Sequence, residues 1–445
     1  MTDVNTIIQT TITRDSAVAT LPGFGVPAVF NQFAAGTKGF TGTSRTKYYY
    51  STSELLADGW AATDSVYQWA SAVFAQNPRV PKLLVGRIDS GDASVAASGD
   101  AIRAEQDDFY VFEVVGNRSL VFTLSADLVT DNVLSSTVNG ITVAPVTYAT
   151  SHAYTMGLWK AAIESAIVGA TATVSGRTMT VTMVGKDMNV GTAVVTLGAS
   201  QATVTYSYPL DATKTKAWMA WTEGQKKMLG VQDSDVATYA ADTGVSGTAC
   251  LAEYAKLMSY ERTFVLWHAL NAEYAMAAWV GDQLPYDPGQ TTWAFKTLAG
   301  VSPDTLTTGQ ENLIRGKNAN VYTPTAGVYN TYAGTCAKTS RYIDDQRGLD
   351  WLDTQIKLDQ MNLRFNMGKI PFDDPGILLC VTCLKGTLKK AADAKVLTSD
   401  YSVTYPKASE VSSANKAARI LPSVNFSATL SGAIHSIQIT GTVSV

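Results

Sequence analysis

The sequence predicts an α+β, multidomain chain: an α/β core, a β-rich, sandwich-like domain inserted into it, and extended strand arms at the N and C termini. Three observations carry this. Helical periodicities alternate with short apolar strand runs before Gly116 and again after Pro209, and a Thr- and Val-rich block of short strands lies between them. Both ends of the chain alternate apolar and polar positions, as pairing-competent strands do, and the C-terminal run stops with no element after it to cover it.

In the first part, Ala28 to Phe33 reads as a strand, followed by the aromatic run Tyr48 to Tyr50. Leu55, Leu56, Trp60, Val66, Trp69, Val73 and Phe74 recur at helical spacing broken at Gly59, which predicts two short helices. Leu83 to Val85, after a proline, is apolar throughout and fits a strand buried on both faces. Residues Asp89 to Asp100 are small and polar and read as a linker, ahead of a helix near Ala101 and the strand FYVFEVV.

From Arg118 to about Tyr208 the strand patterns are LVFTLSA, TVNGITVAPVTY, TATVSG, TMTVTMVG and TAVVTLGA to VTYSY, with junctions at Asn139, Gly176 and Gly185 where hairpins need them. One helix, Leu158 to Ile167, interrupts the block. After Pro209, KTKAWMAWTEGQKKMLGVQDSD reads as helical, and Thr263 to Trp267 is a buried strand between two further helices. A loop-rich stretch follows. The run RGLDWLDTQIKLDQMNLRFNM then predicts a long helix with Leu349, Leu352, Ile356, Leu363 and Met367 on its apolar face.

The termini are the most informative part. Val4, Ile8 and Ile12 share one parity of the first segment. At the other end Phe426, Ala428, Leu430 and Ile434 share one parity, whereas Ile437, Ile439, Val443 and Val445 share the other. The phase flips around His435 and Ser436, which implies a bulge or turn there. A strand with unmatched backbone groups either docks at home or adds to a sheet on a neighbouring molecule.

Composition narrows the partners. At 445 residues the chain is long enough for about two or three domains. Charged residues make up only 16%, below the roughly 25% of a soluble monomer, so much of the surface is expected to be uncharged or covered by other chains. The net charge of −4 gives no cationic footprint for nucleic acid or anionic lipid, and neither is expected as a partner. The polar, Thr-rich start lacks a secretion signal. The longest apolar run, Gly376 to Leu384, falls short of the ~20 residues a spanning helix needs, so a soluble chain without membrane anchoring is expected.

Catalytic, cofactor and metal motifs are not evident. Cys250, Cys336, Cys380 and Cys383 are too sparse for a disulfide framework and fit a reducing compartment. Cys380 and Cys383 form a C-x-x-C pair inside an apolar run, without a second ligand pair, and read as two strand cysteines. His152, His268 and His435 lie in three separate segments. Nucleotide-loop, hydrolase-elbow and zinc-helix signatures are missing, and Gly23 and Gly25 mark a prolyl turn. Asp344, Asp345, Asp350, Asp373 and Asp374 cluster in the last third, where capping, turn and ion-pair roles are expected; Asp350 would flank a helix start. A glycan hydrolase using such carboxylates is the enzymatic alternative.

The stretch KNANVYTPTAGVYNTYAGTCAKTSRYIDDQRGLDWLDTQIKLDQMN resembles contractile-tail (myovirus) sheath proteins of bacteriophages, in particular their phage sheath-like branch. FAQNPRVPKLLVGRI, AWTEGQKKMLGVQDSD and the closing RILPSVNFSATLSGAIHSIQITGTVSV support the likeness in the same order along the chain. The resemblance implies an α/β sheath core, with the β-rich block as the variable outer insertion. It implies no enzyme and no cofactor, and divides the chain into an N-terminal arm (1–20), an α/β domain (21–116 with 209–330), the insertion (117–208), a C-terminal sheath domain (331–423) and a C-terminal strand arm (424–445).

Sheath subunits form stacked hexameric rings around a tail tube, lend terminal strands to neighbours, and contract to drive the tube through the host envelope. The implied partners are therefore other copies of the chain, the tail tube protein, and the baseplate and tail terminator proteins, in a virion assembled in the bacterial cytoplasm. The arm contacts would be Val4, Ile8, Ile12, Phe426, Leu430, Ile434, Ile437, Ile439 and Val443. A twelve-residue arm at ~3.3 Å per residue reaches about 40 Å, enough to cross to an adjacent subunit. The long helix from Leu349 and the basic run LKGTLKKAADAK are candidate tube-facing surfaces. The sheath of a phage-derived bacteriocin or injection system is the close alternative.

Overall fold

The computed structural model describes residues 23–240 and 250–441. It divides into two compact units, the larger running to Arg347 and including residues from Ala433 onward, the smaller spanning Gly348–Gly432. The boundary expected at 331 falls inside a paired strand, so the division lies further along the chain.

The larger unit opens with β1 (Pro27–Gln32) and β2 (Thr46–Tyr49). Ser51 accepts from the amide of Glu54 and starts the helix Thr52–Ala57, and a second helix covers Ser65–Phe74. β3 (Leu83–Ile88) follows. The helix expected near Ala101 begins earlier, at Val95, because Ser94 caps it by accepting from Ala97; the second half of the apparent linker belongs to that helix, Val95–Glu105. β4 (Val111–Val114) then leads into the Thr/Val-rich block.

That block contains β5 (Leu120–Leu124), β6 (Val133–Val138), β7 (Ile141–Thr147), the helix His152–Ala166, β8 (Ala170–Ser175), β9 (Thr178–Met183), β10 (Gly191–Thr196) and β11 (Val204–Ser207). Its strands form two antiparallel sheets, β10-β6-β7 and β11-β5-β9-β8. Asn139 and Gly140 both take positive φ, 48° and 79°, the backbone that a two-residue hairpin demands. Phe122, Met179 and Val181 from one sheet, Leu134 and Val143 from the other, and Trp159 from the helix share one buried cluster.

After Ala212–Glu223, whose first turn is capped by Asp211, the chain forms β12 (Met228–Asp233). Helical character was expected to run through this segment. Instead Gly224 ends the helix and MLGVQD, buried at every position, becomes a central strand. The helix Leu251–Leu257, β13 (Thr263–Trp267), the helices Ala275–Gln283 and Thr308–Gly316, β14 (Asn320–Thr325) and β15 (Val328–Tyr332) complete the core.

Strands from both sides of the block build one sheet among the described residues, in the order β15-β14-β13-β12-β4-β1-β3-β2. It is parallel from β14 to β3, with antiparallel strands at either edge. Both faces are covered, as parallel sheets require: Val29, Val85, Trp69, Trp279 and Trp293 belong to one buried cluster, and Phe30, Phe112, Trp218 and Trp221 to the other.

The long helix is Ile343–Asn366, and Asp350 lies inside it, buried, rather than at its start. The smaller unit continues with the helix Asp374–Asp393, β16 (Leu397–Thr404), a short helix Ser413–Ala417 and β17 (Asn425–Leu430). Cys380 and Cys383 are therefore helical, not strand, residues. Asp373 caps this helix through Gly376 N at 2.8 Å, Pro375 occupies its first turn, and Ile377, Val381, Leu384 and Leu388 repeat at helical spacing on the buried face. Among the described residues no helix is long and apolar enough to cross a membrane.

Candidate assembly surface

β16 and β17 form a two-stranded antiparallel sheet, with Val403 opposite Phe426 and Leu397 opposite Leu430. Such a pair is marginal alone and needs a helix or further strands to stabilise it. Tyr401, Val403, Val424, Ala428 and Leu430 pack on a core of Leu384, Leu388, Ala391 and Val396 from the helix side. The two outer edges of the pair have no strand beside them among the described residues. These are the positions where an incoming strand can complete its backbone hydrogen bonds.

A groove of about 560 Å³ lies in the same unit, floored by Ile356, Met367, Phe372, Ile377, Leu384 and Phe426 and rimmed by Arg364, Lys369 and Arg419. Phe426 is 43% exposed, although it has the parity of Ala428 and Leu430. On the adjacent helices Met361, Phe365, Leu378 and Leu379 also stand exposed.

Beyond β17, Ser431 N donates to Val396 O at 3.0 Å and Gly432 turns the chain with φ at 56°. No strand follows among the described residues. Among the described residues the expected second strand has no strand partner, and Ile434, Ile437 and Ile439 are 83%, 76% and 86% exposed. At the site of the phase flip, His435 turns inward and its Nε2 lies 2.9 Å from Thr292 Oγ1. Of the expected arm contacts, Val4, Ile8, Ile12 and Val443 lie outside the described residues. Phe426 and Leu430 belong to β17, whereas Ile434, Ile437 and Ile439 project from unpaired chain.

The carboxylates do not converge on one task. Asp373 caps a helix, and Asp374 accepts from the amide of Ala408 at 2.6 Å. Burial first, and the adjacent Asp345 second, push Asp344 up to about 6. His268 is fully buried, with Nδ1 3.0 Å from Asp304 and Nε2 3.3 Å from Glu273. Because opposite ring nitrogens face the two carboxylates, these three groups cannot meet on one ion. Among the described residues no cluster of His, Cys, Asp and Glu offers a metal site.

Sequence reasoning missed the groove, whose lining comes from the long helix, the loop after it, the helix Asp374–Asp393, β17 and the approach to it. No periodicity signals such a convergence. It also missed a polar junction at the root of the Thr/Val-rich block, where Asp187 Oδ1 accepts from the amides of Gly116, Asn117 and Arg118 at 3.0–3.1 Å.

No family model and no curated protein matches the chain. Solved structures do. A chain of the six-fold symmetrised baseplate of the anti-feeding prophage matches with a TM-score of 0.52 at 11% identity, over 98% of each chain. A chain of the sheath complex of PVC, an extracellular contractile injection system captured in the contracted state, matches with a TM-score of 0.53 at 11% identity, over 98% of this chain and 97% of that one. The sheath tail protein of Listeria innocua is matched at a TM-score of 0.40 and 12% identity, over 87% and 89%. Along nearly its whole length the chain therefore shares its fold with a chain of the PVC sheath complex and a chain of the anti-feeding prophage baseplate.

Proposed function

We propose that the chain is the sheath subunit of a contractile phage tail and acts as a structural protein, not an enzyme. Copies polymerise as stacked hexameric rings around the tail tube, joined by strands lent from one subunit to the sheet of the next. On firing, the lattice contracts and drives the tube through the host envelope. The observation that carries this reading is that, among the described residues, a two-stranded sheet has no strand at either outer edge and the segment after Leu430 in the same chain is unpaired with Ile434, Ile437 and Ile439 exposed. The contractile-sheath fold over 98% of the length supports it.

The magnitudes favour a lattice over a pair. Burying Ile434, Ile437 and Ile439 contributes about 2 kcal/mol each, or about 6 in all, whereas association costs roughly 4–15 kcal/mol. One lent strand therefore holds two subunits weakly. Subunits that each donate and receive strands hold cooperatively, and heterologous contacts that do not close generate a helical lattice. Because backbone ladders do not depend on how the remainder of the subunit is oriented, the strands act as tethers while the bodies move. The other partners on this reading are the tail tube, baseplate and tail terminator proteins, in a particle assembled in the bacterial cytoplasm.

Electron microscopy of the purified chain tests the proposal. Striated tubes or rings are expected; monodisperse particles at every concentration would contradict it. Deleting residues 2–13 should leave a folded monomer that no longer polymerises. A phage-derived injection system or bacteriocin is the second reading, favoured by the structural matches to the anti-feeding prophage and to PVC. Particles purified from producing cells distinguish the two: DNA-filled heads on the tails support a phage, and headless tails support the second reading.

A further inference from the structure

We infer that the notch formed by Thr292, Phe295 and Tyr342 is a docking site for His435, which fixes where the C-terminal segment stops belonging to its own chain and where the stretch lent to a second copy begins. This rests on the strand-exchange reading above. Among the described residues, the hydrogen bonds and ring contacts that residues 433–441 make all belong to His435. Its ring stands edge-on between Phe295, with centroids 5.5 Å apart at 85°, and Tyr342, at 5.1 Å and 89°. Both are the T-shaped geometry that aromatic quadrupoles favour. The hydrogen bond to Thr292 Oγ1 adds a directional contact at the ring's far end.

The notch is built into the core of the larger unit. Trp293 O accepts from Trp279 Nε1 and from Thr331 Oγ1, each at 2.9 Å, which holds the backbone between Thr292 and Phe295. Phe295 has a left-handed backbone, φ 61°, secured by its amide donating to Thr331 O at 2.7 Å, and its ring packs on Tyr332. A bulky aromatic held there is uncommon, and the cost is borne where a side chain must be aimed. Phe295 remains 45% exposed, so it contributes more to the notch than to the core.

The consequence is geometric. Ile434 and Ile437 lie on either side of the anchored residue and stay 83% and 76% exposed. Residues 436–445 leave from a fixed point and span roughly 33 Å when extended. An arm with a fixed root samples a smaller volume than one free from Leu430 onward, so its effective concentration at a neighbouring sheet is higher. His435 is thus a positioning residue for strand exchange, and its contact persists in the assembled lattice.

The test uses the full-length chain and four variants, His435→Ala, His435→Phe, Thr292→Val and a deletion of residues 436–445, measuring melting temperature and the critical concentration for polymerisation by light scattering. Deletion should abolish polymerisation. His435→Ala should raise the critical concentration by about tenfold without lowering the melting temperature, Thr292→Val should raise it similarly with a small fall in melting temperature because its Oγ1 also accepts from the amide of Ala294, and His435→Phe, which keeps the ring contacts, should lie between the parent and His435→Ala. If the deletion stops assembly while His435→Ala polymerises at the parental concentration, the docking site is wrong and the arm stands. If the deleted chain polymerises normally, the strand-exchange reading itself fails. A large drop in the melting temperature of His435→Ala would make the contact merely structural and overturn the inference.

Discussion

The phenol of Tyr274 donates to Asp187 Oδ2 at 3.1 Å, joining the core of the larger unit to the loop between β9 and β10. The other oxygen, Oδ1, accepts the three successive amides of Gly116, Asn117 and Arg118, where the chain leaves β4. Arg118 in turn donates to the carbonyls of Tyr208 and Gln232, each at 2.8 Å, so the return crossing is tied to the same point. One carboxylate and one guanidinium therefore secure both passages of the chain between the block and the sheet.

Removing the carboxylate strands three amides, that of Arg118 buried and those of Gly116 and Asn117 partly buried. Asp187→Ala should cost about 3 kcal/mol, and Tyr274→Phe, which loses one hydrogen bond, about 1. Hydrogen exchange read by mass spectrometry should show the loss concentrated at 116–118 and 185–211; unchanged exchange there would refute the tie.

Glu113 gives a pH signature. Its carboxyl is buried and accepts from Trp69 Nε1 at 2.7 Å; burial, and secondarily Asp187, push it up to about 8. A carboxyl raised in the folded state binds its proton more tightly there than in the unfolded chain. Its stabilising contribution is complete below the usual 4.5 and is lost as pH rises through about 8. Over that window the parent should lose about 1 kcal/mol per pH unit relative to Glu113→Gln, which does not titrate. Urea midpoints of the two proteins between pH 5 and pH 8.5 check this, and parallel profiles would count against it.

What the sequence revealed depended on how local the determining physics is. The helix around Trp69 and the turn at Asn139–Gly140 carry their signals within a few residues and lie where periodicity and turn chemistry put them, whereas the helix expected at Leu158–Ile167 begins earlier, at His152, because Ser151 caps it by accepting from the amide of Tyr154. Two apolar runs were misread because periodicity does not separate a short buried strand from a buried helix. Met228–Asp233 took the strand state because it lies between β4 and β13, while the run around Cys380 took the helical state because Asp373 and Pro375 start a helix there. The alternating residues after Leu430 were legible, but whether they pair at home is decided by distant chain. His435 showed only as a change of phase; Thr292, Phe295 and Tyr342, which hold it, lie 93 or more residues earlier.

Among the described residues the hydrogen bonds of Arg347 go to backbone carbonyls. Its guanidinium is buried and donates to the carbonyls of Phe24, Gln283, Leu284 and Tyr286, and burial brings it down to about 10. Four carbonyls lose their donor together in Arg347→Met, which should destabilise the larger unit by about 3 kcal/mol even though the methionine fills similar space. Arg347→Lys, with three donors instead of five, should recover part of the loss. Chemical denaturation followed by tryptophan fluorescence measures both, and a methionine variant as stable as the parent would show that the carbonyls find other donors.

Gly281 makes the closest helix contact possible between Ala275–Gln283 and Ser65–Phe74. A Cβ added there would stand 2.7 Å from Val73 O and 2.8 Å from Val73 Cα, both backbone atoms of the facing helix. Neither can swing aside, so Gly281→Ala must push the two helices apart and loosen the packing of Trp69 and Trp279 on the same face of the sheet. A cost of about 1–3 kcal/mol is expected. Gly157 provides the control, because it lies within the helix His152–Ala166 with nothing within 4 Å of its added Cβ. There the same substitution removes only backbone freedom from the unfolded chain and should stabilise by about 0.5–1 kcal/mol. Thermal denaturation of the two variants should therefore move the midpoint in opposite directions, and a gain at both positions would show that helix propensity outweighs the close crossing at Val73.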